Sequence, residues 1–454
     1  MISTLNRELF KDREYFKLLS AIAIPIVIQN LIVSSLNMLD TLMVGVLGDI
    51  DIAAVGIGNQ IFLLFYILSL GISSGCGVFI SQYWGKDDRH NIRRVMGLSI
   101  IGSAIVAVLF TVVLWFFPEW VISIFNKEAE VIEKGSGYIK IVGLSYLFNA
   151  LSVAIATASR CVEKTKPPMV TSIIALFANG GLNYIFIFGK FGLEPMGVRG
   201  AALGTVIARA LEFIILFIYV FRTNKVLWGN VREVFEISMD FTKKIYSIVK
   251  DVLLNELLWG MGTVVYSIIY GRIGSGALAA AQIYNTVQNF FFILVLGMGA
   301  SSVVMIGKEI GAGNYEKAKK YSYNSFILTI YLGVALSILI ALTAGGIVSI
   351  FNISESVRQS AKIILYITAG IFTLRSLNVV LIIGILRGGG DAKFGLRTEA
   401  FTMWCIGVPI SIIGAYVFKL PVYGVVALIS LEEVAKSIIS IRRLFSERWM
   451  KSVT

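Results

Sequence analysis

The sequence predicts an all-α membrane protein of 12 transmembrane helices, arranged as two pseudo-symmetric six-helix bundles with both termini in the cytoplasm. Three observations carry this expectation: a strongly apolar composition, a one-sided distribution of Lys and Arg, and an internal repeat at a fixed offset. Of 454 residues, 57% are hydrophobic and 15% charged, with a mean hydropathy of +0.81. Ordinary soluble domains are far more polar. A spanning helix takes about 20 apolar residues, so a dozen use about 240 of them. The remaining polar chain is too short to cover a large soluble domain. The same composition excludes a disordered, collagen-like, coiled-coil or disulfide-stapled chain.

In chain order, the apolar segments fall at 16–44, 53–80, 95–117, 132–158, 168–188, 198–221, 245–270, 278–306, 321–350, 361–386, 394–418 and 422–441. Turn and charge signals separate them. Gly48-Asp49 closes the first, Gly85-Lys86-Asp87-Asp88 the second and Pro118-Glu119 the third, while Pro167-Pro168 opens the fifth. In the second half, Gly311-Ala312-Gly313-Asn314 ends the eighth and Gly388-Gly389-Gly390-Asp391 the tenth. With residues near a span end counted with the nearer loop, the N-terminus, the even-numbered loops and the C-terminal end hold 29 of the 40 Lys and Arg, against nine on the odd-numbered side, and Arg209 and Arg375 stand deep inside spans. Cytoplasmic loops are the basic ones, so both termini are placed inside. The net charge of +12 is read the same way, as topology rather than nucleic-acid binding.

Shifting Gly45–Gly85 by 226 lays it on Gly271–Gly311 without a gap, with 14 of 41 positions identical. Gly45/Gly271, Gly48/Gly274, Asn59/Asn285, Gly71/Gly297 and Gly85/Gly311 are among them. One inserted residue later, Arg160 falls on Arg387 at offset 227, each at the cytoplasmic end of a span. Six helices per copy give both copies the same orientation, a parallel repeat about an axis along the membrane normal. The expected organisation is an N-terminal lobe over 1–221, a basic cytoplasmic linker over 222–244 and a C-terminal lobe over 245–454. Two such lobes suggest rocking about a central site, or alternating access.

Several chemistries find no support. Cys76, Cys161 and Cys405 form no CxxC pair and are read as packing residues; with His90 as the single histidine, no metal site is expected. There is no phosphate-binding loop, no clustered nucleophile and base, and no expected cofactor, so neither an ATP-driven pump nor an enzyme is indicated. The charged start leads into an apolar stretch too long for a signal peptide.

Asp40 is the clearest functional candidate, because an ionised Asp at a helix centre costs about 2.5–3.5 kcal/mol on insertion scales and therefore faces a cavity or a partner. A carboxylate withdrawn from water can also take up a proton. Gln29, Val33, Leu36 and Asn37 lie on the same helical stripe. Glu256 has a similar claim, and Trp259 stands one turn away, where its ring could hold a cation. Pro25 removes one helical hydrogen bond and permits a bend in the first span. Glu399, Glu432 and Glu433 are expected to reach the interface, and Phe290-Phe291-Phe292 to face lipid or core.

Specific strings then resemble the multidrug and toxic compound extrusion (MATE) family. They are Pro25 with Gln29-Asn30, Asn37-Met38-Leu39-Asp40-Thr41, Gln82-Tyr83-Trp84-Gly85-Lys86, Asn255-Glu256-Leu257-Leu258-Trp259-Gly260 and Ile385-Leu386-Arg387-Gly388-Gly389-Gly390-Asp391. Asn179 and Asn183 precede a further one, Gly197-Val198-Arg199-Gly200-Ala201-Ala202. The resemblance covers essentially the whole chain. It implies a MATE-like fold in the cell membrane and a secondary antiporter, acting as a monomer, that exports small organic and often cationic compounds against inward H⁺ or Na⁺. On these positions it implies ion coupling at Asp40 and Glu256, and a substrate cavity that includes Gln29, Asn30, Asn37, Asn179, Asn183, Asn255, Trp259 and Asn378.

Three positions depart from the family pattern. Sodium-coupled members carry a carboxylate in the tenth span, where this chain has Leu374-Arg375-Ser376-Leu377-Asn378; some proton-coupled members pair an asparagine with an aspartate in the fifth, where Asn179 and Asn183 are both amides; and a proline is usual near Asp251. Arg375 joins the candidate cavity because a buried arginine needs an anion. Depth arithmetic puts it about 21 Å below the outer end of its span and Glu256 about 16 Å above the inner end of its own. The two differ by roughly 7 Å in depth across a core of about 30 Å, which predicts a Glu256–Arg375 pair. That pair favours H⁺ as the coupling ion, with Na⁺ the alternative. A lipid-linked precursor flippase of related architecture and a major-facilitator-type transporter are the competing functions.

The charge split is open to a direct check. In a cysteine-free background, single cysteines at Lys86, Lys243 and Lys317 should react with an impermeant maleimide only from the cytoplasm, and those at Glu128 and Ser354 only from outside. Labelling of position 243 from outside would reverse the orientation.

Overall fold

The computed structural model describes residue 9 and residues 12–229, 231–351 and 353–454, and places the side chains of all but Asn37 and Val231 among these. The described chain is helical throughout. In order, the helices are α1 (Arg13–Gly45), α2 (Asp49–Gly85), α3 (Arg89–Phe116), α4 (Pro118–Phe125), α5 (Ala129–Val142), α6 (Ser145–Cys161), α7 (Lys166–Phe188), α8 (Gly197–Thr223), α9 (Val231–Phe235), α10 (Met239–Ile273), α11 (Ser275–Gly311), α12 (Tyr315–Ser349), α13 (Glu355–Leu386), α14 (Ala392–Val417) and α15 (Val422–Phe445). Among the described residues, ten of these are long and apolar enough to cross a membrane, and α5 with α6 makes an eleventh as a bent pair. α15 is long enough, but Glu432, Glu433 and Lys436 at its centre break its apolar run.

The fourth segment, expected as one span over 132–158, is broken by a bend of 45° between α5 and α6. Gly143 sits at the break, and its carbonyl accepts a hydrogen bond from Thr111 Oγ1 on α3 at 2.8 Å, which satisfies a group the interrupted ladder would leave exposed. α1 runs through Pro25 without interruption. α14 contains π-helical turns at Thr402–Gly407 and Ile413–Val417, on either side of Pro409, whose ring displaces the preceding carbonyls.

The two halves share backbone detail as well as sequence. Gly48 and Gly274 precede α2 and α11 with φ of 128° and 154°, values that favour glycine. Asp87 and Gly313, at the same offset, are both left-handed at 53° and 78°.

The chain forms two compact units, one of residues 28–253 and one of residues 1–27 with 254–454. Both boundaries fall inside long helices, so α1 and α10 each begin in one unit and end in the other. In the first unit, α7 packs along α8, and α2, α3 and α6 pack on one another. Its core includes Val44, Phe65, Leu114, Tyr138, Ile139 and Tyr146, with the Phe65 and Tyr146 rings stacked 4.5 Å apart. The 222–244 segment is held to the start of α3, where Arg93 pairs with Glu233 and donates to the carbonyl of Val226 at 3.0 Å. In the second unit α11, α12, α13 and α15 surround a core in which Phe292 meets Phe372 edge-on at 5.5 Å. Cys76 and Cys161 are buried as expected of packing residues, whereas Cys405 is exposed.

Candidate functional site

α1 carries Asp40 to α7 within the 28–253 unit. Asn183 Nδ2 donates to Asp40 Oδ1 at 2.5 Å and to Asn179 Oδ1 at 3.2 Å. Asn179 Nδ2 in turn donates to Thr205 Oγ1 on α8 at 3.3 Å, and Thr205 donates to the carbonyl of Ala201 at 3.0 Å. The two asparagines are one turn apart and fully buried. Gly204 makes the approach feasible, since a Cβ there would lie 2.3 Å from Asn183 Oδ1, an oxygen with no hydrogen-bond partner among the described residues. Asp40 is thus held by neutral amides. The side chain of Asn37, expected beside it, lies outside the described residues.

The same unit contains a cavity of about 420 Å³, to which α1 contributes Gln29, Asn30, Val33 and Thr41. A chain of polar contacts through the buried Ser172 joins three of its lining residues. Gln29 Nε2 donates to Ser172 Oγ at 3.1 Å, Ser172 donates to Glu212 Oε1 at 2.7 Å, and Arg209 Nη1 meets Glu212 Oε2 at 2.9 Å. The hydroxyl therefore acts as acceptor and donor at once, and the buried carboxylate is matched on both oxygens. Arg160, Asn149 and Ser152 line the same space from α6.

The other unit brings buried charges together from α10, α13, α14 and α15, with Arg387 just beyond the end of α13. Glu256 Oε1 is bound by Arg387 Nη2 at 2.8 Å, and the Arg387 side chain is only 4% exposed. Arg375 Nε meets Glu433 Oε1 at 3.1 Å, and its Nη1 is held by Tyr284 and Gln288. Asn378 Nδ2 donates to Glu433 Oε2 at 2.7 Å, and Asn378 Oδ1 accepts from Ser437 Oγ at 2.9 Å. Lys436 serves two carboxylates, Glu399 at 2.8 Å and Glu432 at 2.9 Å, and Tyr266 donates to Glu432 at 2.6 Å. Asn255 is buried, with Oδ1 unpartnered among the described residues, while Trp259 is exposed.

Two expectations are corrected here. Glu256 and Arg375 do not pair with each other; each is satisfied by a different residue, Arg387 and Glu433, at an angular position about the bundle that depth alone does not specify. Glu399 and Glu432 are buried around Lys436, and Glu433 is part-buried against Arg375, so all three are engaged inside the unit. Glu212, Tyr284, Gln288 and Lys436 were not expected at a site. The spacing Arg209-x-x-Glu212 inside an apolar span was a usable signal, since residues three apart meet on a helix.

The MatE family profile matches the chain twice, over residues 25–185 and 252–413. The transporter YisQ of Bacillus subtilis is 24% identical over 94% of this chain and 93% of its own length. The probable multidrug resistance protein NorM of Haemophilus ducreyi is 26% identical over 89% and 88%. A MOP superfamily transporter from Pyrococcus furiosus has the same fold, with a TM-score of 0.86 at 19% identity over 96% of this chain and 97% of that one. So has a MATE protein in a bent conformation, at 0.87 and 18% over 96% of each.

Removing one partner of a buried ion pair leaves the other uncompensated, at a cost of about 3–5 kcal/mol. Glu256→Gln and Arg387→Gln should each lower the thermal midpoint of the purified protein, and the double variant should recover most of the loss. Additive losses in the double variant would show that the pair is not the stabilising contact.

Proposed function

Because the chain belongs to the MatE family of membrane transporters, we propose that it is a secondary antiporter that exports small organic compounds against an inward-moving ion by alternating access. The observation that carries the coupling is the setting of Asp40. A carboxylate that must bind and release an ion in each cycle cannot be permanently matched by a fixed cation. Glu212, Glu256, Glu399, Glu432 and Glu433 each meet an Arg or Lys within their own unit. Beyond the first turns of α1 and α10, where Glu14 and Asp240 stand, Asp40 and Asp251 are the acids of these helices that meet no such cation among the described residues.

Of these two, Asp40 has the built surroundings. Asn183 and Asn179 offer both N–H and C=O groups, which can answer either an ionised or a protonated carboxylate. That favours H⁺ as the coupling ion. The duplicated family match and the repeated backbone turns support two lobes of common design, as rocking requires. The names of its relatives as multidrug resistance proteins support organic compounds as cargo. A lipid-linked precursor flippase is the second reading on shared architecture, and the single acid among amides at Asp40 favours it less.

Asp40→Asn is near-isosteric and cannot exchange a proton. In proteoliposomes, uphill movement of rhodamine 110 and rhodamine 123 should fall at least tenfold to the background, while the thermal midpoint stays within a few degrees of wild type. If Asp40→Asn still concentrates either dye, coupling is not at Asp40 and Asp251 becomes the group to test.

A further inference from the structure

The repeat assigns a chemistry to the cavity of the 28–253 unit. Arg160 corresponds to Arg387, and Asn30 corresponds to Glu256. In the other unit Glu256 neutralises Arg387 at 2.8 Å. Here the arginine is kept and its carboxylate is replaced by an amide, and both Asn30 and Arg160 line the same cavity. Arg160 is left with contacts on its own helix, from Nε to the carbonyl of Ala156 at 3.3 Å and from Nη2 to Thr157 Oγ1 at 3.2 Å. No carboxylate lies within ion-pairing distance of it among the described residues.

The other charges in the cavity cancel, because Arg209 and Glu212 meet at 2.9 Å. The lining therefore carries one uncompensated positive charge, on a guanidinium whose planar fork suits a carboxylate. A second, independent observation points to a ligand. Asn149 and Ser152, on the α6 face that also carries Arg160, are 4% and 6% exposed. Asn149 Oδ1 and Ser152 Oγ have no hydrogen-bond partner among the described residues, although buried polar atoms are normally paired. Phe62, Leu63 and Leu216 supply apolar wall, so the space accepts a ring system with polar groups at its edge.

We propose that this cavity binds organic compounds through a carboxylate on Arg160, the ligand supplying the anion that the sequence provides at Glu256 in the other half. Asn149 and Ser152 then pair with polar groups on the same ligand. This makes carboxylate-bearing compounds, zwitterions included, the preferred class. It deepens the exporter reading and rests on it only for the movement of what is bound.

The matched probes are rhodamine 110, which has a free carboxylate, and rhodamine 123, its methyl ester. Binding to the purified full-length protein is followed by fluorescence polarisation. Wild type should bind the acid at least tenfold more tightly than the ester. Arg160→Gln should remove that preference by weakening the acid while leaving the ester within about twofold. Asn30→Glu, which restores the pairing seen in the other half, should remove it too, and it keeps the inference testable if Arg160→Gln misfolds. Equal affinities in wild type, no binding of either dye, or equal weakening of both dyes in the variants would overturn the inference. Gradient-driven export without acid preference would leave the exporter reading standing and defeat this inference alone. Acid-selective binding with no gradient-driven movement of either dye would do the reverse.

Discussion

Moving a charged side chain into the apolar interior of a helical membrane protein costs several kcal/mol unless a counter-charge or a set of fixed dipoles meets it. Much of the internal arrangement of this chain follows from that requirement. α15 is the clearest case. Its Glu432, Glu433 and Lys436 would be prohibitive on a helix facing hydrocarbon, and they are instead the contacts that hold α15 to α10, α13 and α14. A polar group this deeply buried fixes the rotation of its helix as well as its position. The same logic acts through neutral groups at α7, where Asn179 and Asn183 connect Asp40 on α1 to Thr205 on α8.

The repeat shows how one scaffold is given two chemistries. Backbone features needed for the fold persist in both halves, among them the left-handed turns and the glycines that open α2 and α11. Charged positions have diverged. One half neutralises its carboxylates internally with Arg375, Arg387 and Lys436, while the other leaves Asp40 among amides and has Arg160 and Asn30 lining one cavity. Internal neutralisation favours rigidity, because each group is satisfied in place. Incomplete neutralisation leaves groups that respond to a proton or a ligand.

Much of this was legible in the sequence. Hydropathy marked the helices, and the glycine-rich strings marked their ends, because both are local properties of the chain. The fixed offset of the repeat predicted the paired turns at Gly48 and Gly274. What escaped was tertiary. The break at Gly143 depends on Thr111 from another helix. The partner of Glu256 could not be read from depth, because two groups at one level of a bundle can still lie on different sides of it. Arg160 looked like a loop-end charge from its place at the cytoplasmic end of a span, and only the register of α6 turns it to the cavity with Asn149 and Ser152. Glu399, Glu432 and Glu433 looked like interfacial acids for the same reason: their cations are distant in sequence or lie one turn along a helix that hydropathy ranks low.

If Asp40 carries the ion and the carboxylates of the other unit are held by fixed cations, the wild-type protein should be driven by protons and indifferent to sodium. The direct measurement is the initial rate of uphill dye movement in proteoliposomes under a pH gradient alone and under a Na⁺ gradient alone. The account predicts movement with the first and none above background with the second. Strict dependence on Na⁺, with no response to the pH gradient, would contradict it.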